Sequence, residues 1–197
     1  MVNLFTLTLF AVLWLLFLYI LNSAIAKEFK KIDIKIAILY FVTIGMIGVF
    51  GEIFLDTVYS YFIGNPLWRY NILPVHNAYT SIYAPIVWGI YGFHLYLLHD
   101  TFRQKWSING TLQLALILSF EALLLEAVLT ISSKFLLGDL MYYYYPDDLW
   151  HVSSFQNIPF YFICGLIIVK TLKRFRKDPV FFSLLSASLT FVVIFFA

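Results

Sequence analysis

The sequence predicts an all-α integral membrane fold, on three observations: the composition, the spacing of the apolar runs and the one-sided placement of basic residues. Hydrophobic residues make up 62% of the 197 and charged residues only 12%, with a mean hydropathy of +0.86. A soluble domain carries about 25% charged residues. Little is left for extramembrane mass, so residues 1–197 are read as one membrane domain, and no nucleic-acid partner is expected. Six stretches, roughly 2–26, 36–62, 80–99, 111–136, 153–172 and 179–197, are long enough to cross a ~30 Å hydrocarbon core. Of the basic residues, Lys27, Lys30, Lys31, Lys35, Arg103, Lys105, Lys170, Lys173, Arg174, Arg176 and Lys177 fall on one side, and only Arg69 and Lys134 on the other. By the positive-inside rule the short basic loops are cytoplasmic and both termini extracytoplasmic. The layout is read as that of a bacterial or archaeal inner-membrane protein.

The first stretch ends in Ala24-Ile25-Ala26, which resembles a signal-peptidase site. It lacks a basic leading region and its apolar run is too long for a signal peptide, so a retained first helix is expected. The second stretch carries Glu52 and Asp56, four residues apart and therefore on one helical face. Gly64-Asn65-Pro66 then makes a turn into Trp68-Arg69-Tyr70. Asn109-Gly110-Thr111 matches a glycosylation sequon but falls on the cytoplasmic side and is discounted. The fourth stretch carries Glu121 and Glu126. Cys164, the single cysteine, sits in an apolar run, which excludes a disulfide and a thiolate metal site. His76 and His151, with Asp147 and Asp148, match no established ligand spacing, so neither a metal nor another cofactor is expected.

Shifting the chain by 74 residues brings Glu52 onto Glu126, Gly64 onto Gly138, Trp68-Arg69-Tyr70 onto Tyr142-Tyr143-Tyr144, Pro85 onto Pro159 and Arg103 onto Lys177. His76 falls on Trp150, one residue before His151. The chain then divides into a first helix and cytoplasmic loop (1–35), repeat one (36–100), repeat two (110–174) and a last helix (179–197). Two helices per unit give both copies one orientation, related by a pseudo-two-fold axis along the membrane normal.

Carboxylates inside a membrane are costly and are normally paired, protonated or set against a polar cavity. If the repeats pack face to face, Glu52 and Glu126 approach one another, and the two cannot both ionise cheaply. A neutral carboxylic acid in apolar surroundings can protonate a weak base, and aromatic faces stabilise the resulting cation. Glu52, Asp56 and Glu126 are therefore the expected acid/base residues. Trp68, Arg69, Tyr70, His76, Trp88, Glu121, Tyr143, Tyr144, Trp150 and His151 are the expected substrate contacts. The expected substrate is a membrane lipid or isoprenoid, held in a pocket facing the outer leaflet. The alternative is a non-enzymatic transport or lipid-binding subunit, acting as a homo-oligomer or with a partner membrane subunit.

Gly64-Asn65-Pro66-Leu67-Trp68-Arg69-Tyr70, after an acidic helix and before Pro85-Ile86-Val87-Trp88, resembles the repeated membrane enzymes of carotenoid biosynthesis. These are the bisanhydrobacterioruberin-hydratase type and the membrane lycopene cyclases, although the Pro-Glu-Glu motif of the cyclases is missing. Gly138, Tyr142-Tyr143-Tyr144 and Ile158-Pro159 resemble the second half of that pattern. The resemblance implies acid-initiated chemistry on a polyene, with Glu52, Asp56 and Glu126 as donors. Glu126 followed by Tyr142-Tyr143-Tyr144 is also similar to CmpB-like ABC-transporter permeases, which implies a transport subunit.

Overall fold

The computed structural model describes residues 3–104, 106, 108 and 110–196, without the side chains of 100 and 102–104. Lys105, Asn109 and the side chain of Arg103 therefore lie outside the described residues. The helices are α1 (Leu4–Ala26), α2 (Ile34–Ile63), α3 (Ala84–Gln104), α4 (Thr111–Leu137), α5 (Ile158–Phe175) and α6 (Pro179–Phe196). Local chemistry sets their ends. Asn3 and Thr6 form a reciprocal capping box on α1, and the Asp33 side chain caps α2 by accepting from Lys35 and Ile36. Gly64 and Gly138 close α2 and α4 at φ +85° and +83°, a conformation that costs glycine nothing.

Five of these helices, all but α3, are long and apolar enough to cross a membrane, and the protein is an all-α integral membrane protein. The exception runs 21 residues and carries His94 and His99. It starts at Ala84 rather than at 80, because Thr80–Ser81 belongs to a strand. The fifth helix starts at Ile158 rather than near 153, after a short turn at Phe155–Asn157, with a proline in its first turn.

The aromatic loops expected between helices contain short strands: β1 (Trp68–Tyr70), β2 (Pro74–Val75), β3 (Thr80–Ser81) and β4 (Tyr142–Tyr144). Strands β2 and β3 pair within the first loop, whereas β1 pairs antiparallel with β4 of the second. The register is Trp68 with Tyr144, Arg69 with Tyr143 and Tyr70 with Tyr142. Side chains alternate across a strand, so the first and third members of each triplet are buried and the middle one faces outward. This β1–β4 ribbon ties the two loops together above the helices.

Below it, α2 packs on α3 and α6, α4 on α5, and α1 on α3. Small residues let α2 and α3 approach closely. A Cβ at Gly92 would lie 2.5 Å from the Tyr40 carbonyl, and one at Gly48 would lie 2.1 Å from the Trp88 ring. Gly48 thus opens the space that the Trp88 indole occupies. That placement matters for the site.

Candidate functional site

Beneath the ribbon lies a partly enclosed cavity of about 60 Å³. One water needs ~10–15 Å³ on this measure, so the space takes a few waters or a slender chain. Its walls are aromatic: Trp14 from α1, Trp68 and Tyr70 from β1, Trp88 and Tyr91 from α3, Tyr142 and Tyr144 from β4, and Phe160 and Tyr161 from α5. Two carboxylates face it, Glu52 from α2 and Glu126 from α4.

Each carboxylate has three side-chain donors. Glu52 Oε1 accepts from the Tyr70 hydroxyl at 2.5 Å and from Trp88 Nε1 at 2.8 Å, and its Oε2 accepts from Thr80 Oγ1 at 2.6 Å. Glu126 Oε1 accepts from the Tyr144 hydroxyl at 2.5 Å and the Tyr161 hydroxyl at 2.6 Å, and its Oε2 accepts from Ser153 Oγ. Behind them Asn157 Nδ2 donates to the Tyr144 oxygen at 2.5 Å and the Tyr161 oxygen at 3.4 Å, so both phenol protons point at Glu126. In both sites Oε1 therefore receives two donors and Oε2 meets one aliphatic hydroxyl. A hydroxyl can turn from donor to acceptor, so a proton on Oε2 is accommodated without breaking the site. Burial first, and then the neighbouring carboxylate, push the Tyr70 and Tyr144 phenols well above the usual range, which keeps them as donors.

The other expected site residues divide. Trp68, Tyr70, Trp88 and Tyr144 line the cavity with the two glutamates. Asp56 does not: it is fully buried under the turn that follows α2, where its Oδ1 accepts from the Leu67 amide at 2.5 Å. Arg69 and Tyr143, the middle residues of their strands, face outward, and Arg69 forms no ion pair with a described residue. His76 reaches the Val193 carbonyl in α6 at 2.9 Å. His151 lies 2.8 Å from the Tyr144 carbonyl, 3.4 Å from Asp147 and stacked on Tyr143. Trp150 is 84% exposed. Glu121 lies off the cavity, paired with His94 at 2.7 Å.

Sequence reasoning missed Trp14, Tyr91, Tyr161 and His94. Tyr161 was findable, since it follows the Pro159 turn much as Trp88 follows Pro85. Trp14 was not, because nothing in an apolar run says which face meets a cavity. Among the described residues no group of three or more His, Cys, Asp or Glu side chains is arranged to hold a metal ion. No family model, curated protein or solved structure matches this chain.

Proposed function

We propose that the protein is a membrane enzyme that acts on an isoprenoid or other lipid by acid/base chemistry at Glu52 and Glu126. One observation carries the reading: two glutamates, each with one oxygen fixed as acceptor and one set against a reorientable hydroxyl, face a single aromatic cavity. Such a carboxyl can give its proton to an alkene and take one back without rebuilding its surroundings. The alkene carbon becomes a cation, which the ring faces stabilise. Ring closure with proton loss, water addition, or proton loss at a neighbouring carbon ends the reaction, giving a cyclase, a hydratase or an isomerase. The second carboxylate receives the released proton. The resemblance carried by Gly64 to Tyr70 suits this chemistry. Asp56, tied to the turn, takes no part in it.

The duplicated architecture belongs to the same proposal. Six spans with a pseudo-two-fold between repeats, basic loops inside and both termini outside, put the ribbon and the mouth of the cavity toward the outer leaflet. Support comes from the contacts. Arg69 and Tyr143, 74 residues apart, pair with each other, and each glutamate bonds a tyrosine 18 residues on. After the strands the offset becomes 73, since Thr80 answers to Ser153 and Trp88 to Tyr161. The second loop is one residue shorter on this count, and Pro85 then answers to Ile158 rather than to Pro159.

A second reading has its own observation. The cavity combines two carboxylates with many ring faces and no cationic side chain among its lining residues. That combination also suits a hydrophobic cation held by a transport or binding subunit. Glu52→Gln and Glu126→Gln distinguish the two readings. Loss of product formation from cell lipid extracts, with thermal stability retained, supports the enzyme. Full turnover in both variants removes the acid role and leaves the binding reading.

A further inference from the structure

A second polar cluster lies away from the cavity, where α1, α3 and α4 meet. Asn22 is 1% exposed and His94 2%. The Asn22 amide nitrogen donates to the Leu18 carbonyl at 2.7 Å, and a carbonyl can only accept, which fixes the amide's orientation. The same nitrogen lies 2.8 Å from His94 Nδ1, so Nδ1 accepts and the ring proton sits on Nε2. Nε2 then donates to Glu121 Oε1 at 2.7 Å. Glu121 Oε2 and Asn22 Oδ1 are buried and have no hydrogen-bond partner among the described residues. Buried acceptors are rarely left this way. A proton on Oε2 needs an acceptor, and the Tyr91 hydroxyl beside the Glu121 carboxyl can turn to accept it.

Tyr91 joins this cluster to the cavity. Its ring lies 6.1 Å from that of His94, and its hydroxyl, donating to the Leu118 carbonyl at 3.3 Å, is held beside the Glu121 carboxyl. It also lines the cavity that both glutamates face and an adjoining void of about 10 Å³, close to one water. Among the described residues, Glu121 meets His94 and Tyr91 from α3, and Tyr91 in turn lies near Cys164 of α5. Asn22 sits four residues before the end of α1, where the lysine-bearing loop begins.

We propose that Glu121, oriented by His94 and Asn22, is a proton store that recharges Glu52 and Glu126 through Tyr91. The proposal rests on reading those two glutamates as proton-exchanging groups. Glu121 passes its proton to the Tyr91 oxygen while Tyr91 releases its own, through cavity water, to an ionised Glu52 or Glu126. The tyrosine is neutral before and after, Glu121 becomes the carboxylate, and the cavity acid becomes neutral. Reloading returns a proton to the Glu121 carboxylate, while His94 keeps its proton on Nε2 and Nδ1 stays the acceptor of the Asn22 amide.

The test uses the full-length purified protein in lipid nanodiscs, with time-resolved infrared spectroscopy after a downward pH jump. The carboxylic acid C=O band is assigned to Glu52 and Glu126 by its loss in the Glu52→Gln and Glu126→Gln variants. Glu121→Gln keeps an acceptor for His94 but cannot carry the proton, and Tyr91→Phe keeps the ring without the hydroxyl. Both are expected to slow the appearance of the band by on the order of 100-fold while leaving its final amplitude unchanged. A merely structural role would move the amplitude or the melting temperature and not the rate alone. Wild-type rates in both variants, or no Glu52 or Glu126 band at any pH, overturn the proposal. No substrate is present, so this outcome is separate from turnover. Gln variants of Glu52 and Glu126 that keep full turnover would remove the enzyme reading and leave the kinetic result standing.

Discussion

The surroundings of Glu52 and of Glu126 are alike, with one change in the kind of donor. Around Glu126 every donor is a hydroxyl: Tyr144, Ser153 and Tyr161. Around Glu52 the position that answers to Tyr161 is held by Trp88, whose indole N–H only donates. A phenol accepts one proton while releasing another, and an indole does not. All three donors to Glu126 are hydroxyls that can turn, with Asn157 behind two of them, whereas at Glu52 two are hydroxyls, Tyr70 and Thr80, and the third is a fixed dipole. The two glutamates are alike in position and unlike in that one donor. On the acid/base reading both exchange protons, and Glu52 is the better-fixed of the two.

The largest effect expected from breaking this pair is on turnover. Glu52→Gln and Glu126→Gln each place an amide against Thr80 or Ser153, and either hydroxyl can turn to accept from it. Folding should survive while product formation falls by ~10²–10⁴-fold. Turnover on cell lipid extracts, read beside thermal unfolding in detergent, measures both. A drop confined to one variant would show that the two sites are not interchangeable, and retained turnover in both would end the acid reading.

The two loops also solve one backbone problem differently. The Leu67 amide and the Met141 amide, 74 residues apart, precede β1 and β4, and each is buried and needs an acceptor. In the first loop Asp56 supplies it at 2.5 Å; in the second Ser133 Oγ supplies it at 2.8 Å. Asp56→Ala and Ser133→Ala should each cost ~1–3 kcal/mol by stranding a buried N–H. Asp56→Asn keeps an acceptor and should cost less than Asp56→Ala. Detergent melting curves give the comparison, and an alanine variant as stable as the wild type would show that the strand start tolerates a free amide.

Alkaline pH probes both halves at once. Tyr70 and Tyr144 have folded-state pKa values raised above the ordinary 10.0, by burial first and then by their glutamates. The folded state therefore keeps these protons where the unfolded chain loses them. The stability they contribute is full below pH ~10 and falls as pH rises further, by about 1.4 kcal/mol per unit for each tyrosine. Tyr70→Phe and Tyr144→Phe should each flatten that slope in unfolding measured across alkaline pH. An unchanged slope in both would mean that other groups set it.

Much of this was legible in the sequence, and the failures have physical causes. The apolar runs announce the helices because hydrocarbon demands long apolar segments, and Gly64 and Gly138 announce their ends. Glu52 and Glu126 stand out because carboxylates are rare at such depth. Asp56 was misread as their companion. Helical spacing puts it on their face, but it lies one turn closer to the helix end, where a free amide needs an acceptor. The strands were missed because triplets of aromatic residues read equally well as an interfacial belt. The register that buries Trp68, Tyr70, Tyr142 and Tyr144 and turns Arg69 and Tyr143 outward depends on the second loop as much as on the first. His94 was passed over in a helix of mixed character, and only the meeting of three helices gives it Asn22 and Glu121.

Arg69 gives the smallest effect and the sharpest check on how the two loops differ. It is a rare cation on its side of the sequence and sits one residue from two cavity-lining aromatics, so a pairing with Asp56 or Glu52 is the natural expectation. Strand alternation keeps it from direct contact: Trp68 and Tyr70 point inward, and Arg69 points outward beside Tyr143, its partner across the ribbon, so its charge reaches Asp56 only at a distance. An exposed side chain with no ion pair contributes little, so Arg69→Ala should change stability by no more than ~0.5 kcal/mol. For the same reason it should not alter the melting temperature of the Glu52→Gln variant, because no buried cation is stranded when that carboxylate is neutralised. The double variant settles the matter in one melting experiment. If Arg69→Ala restores stability lost in Glu52→Gln, the cation reaches the carboxylate after all, and β1 must twist away from β4 in the working protein.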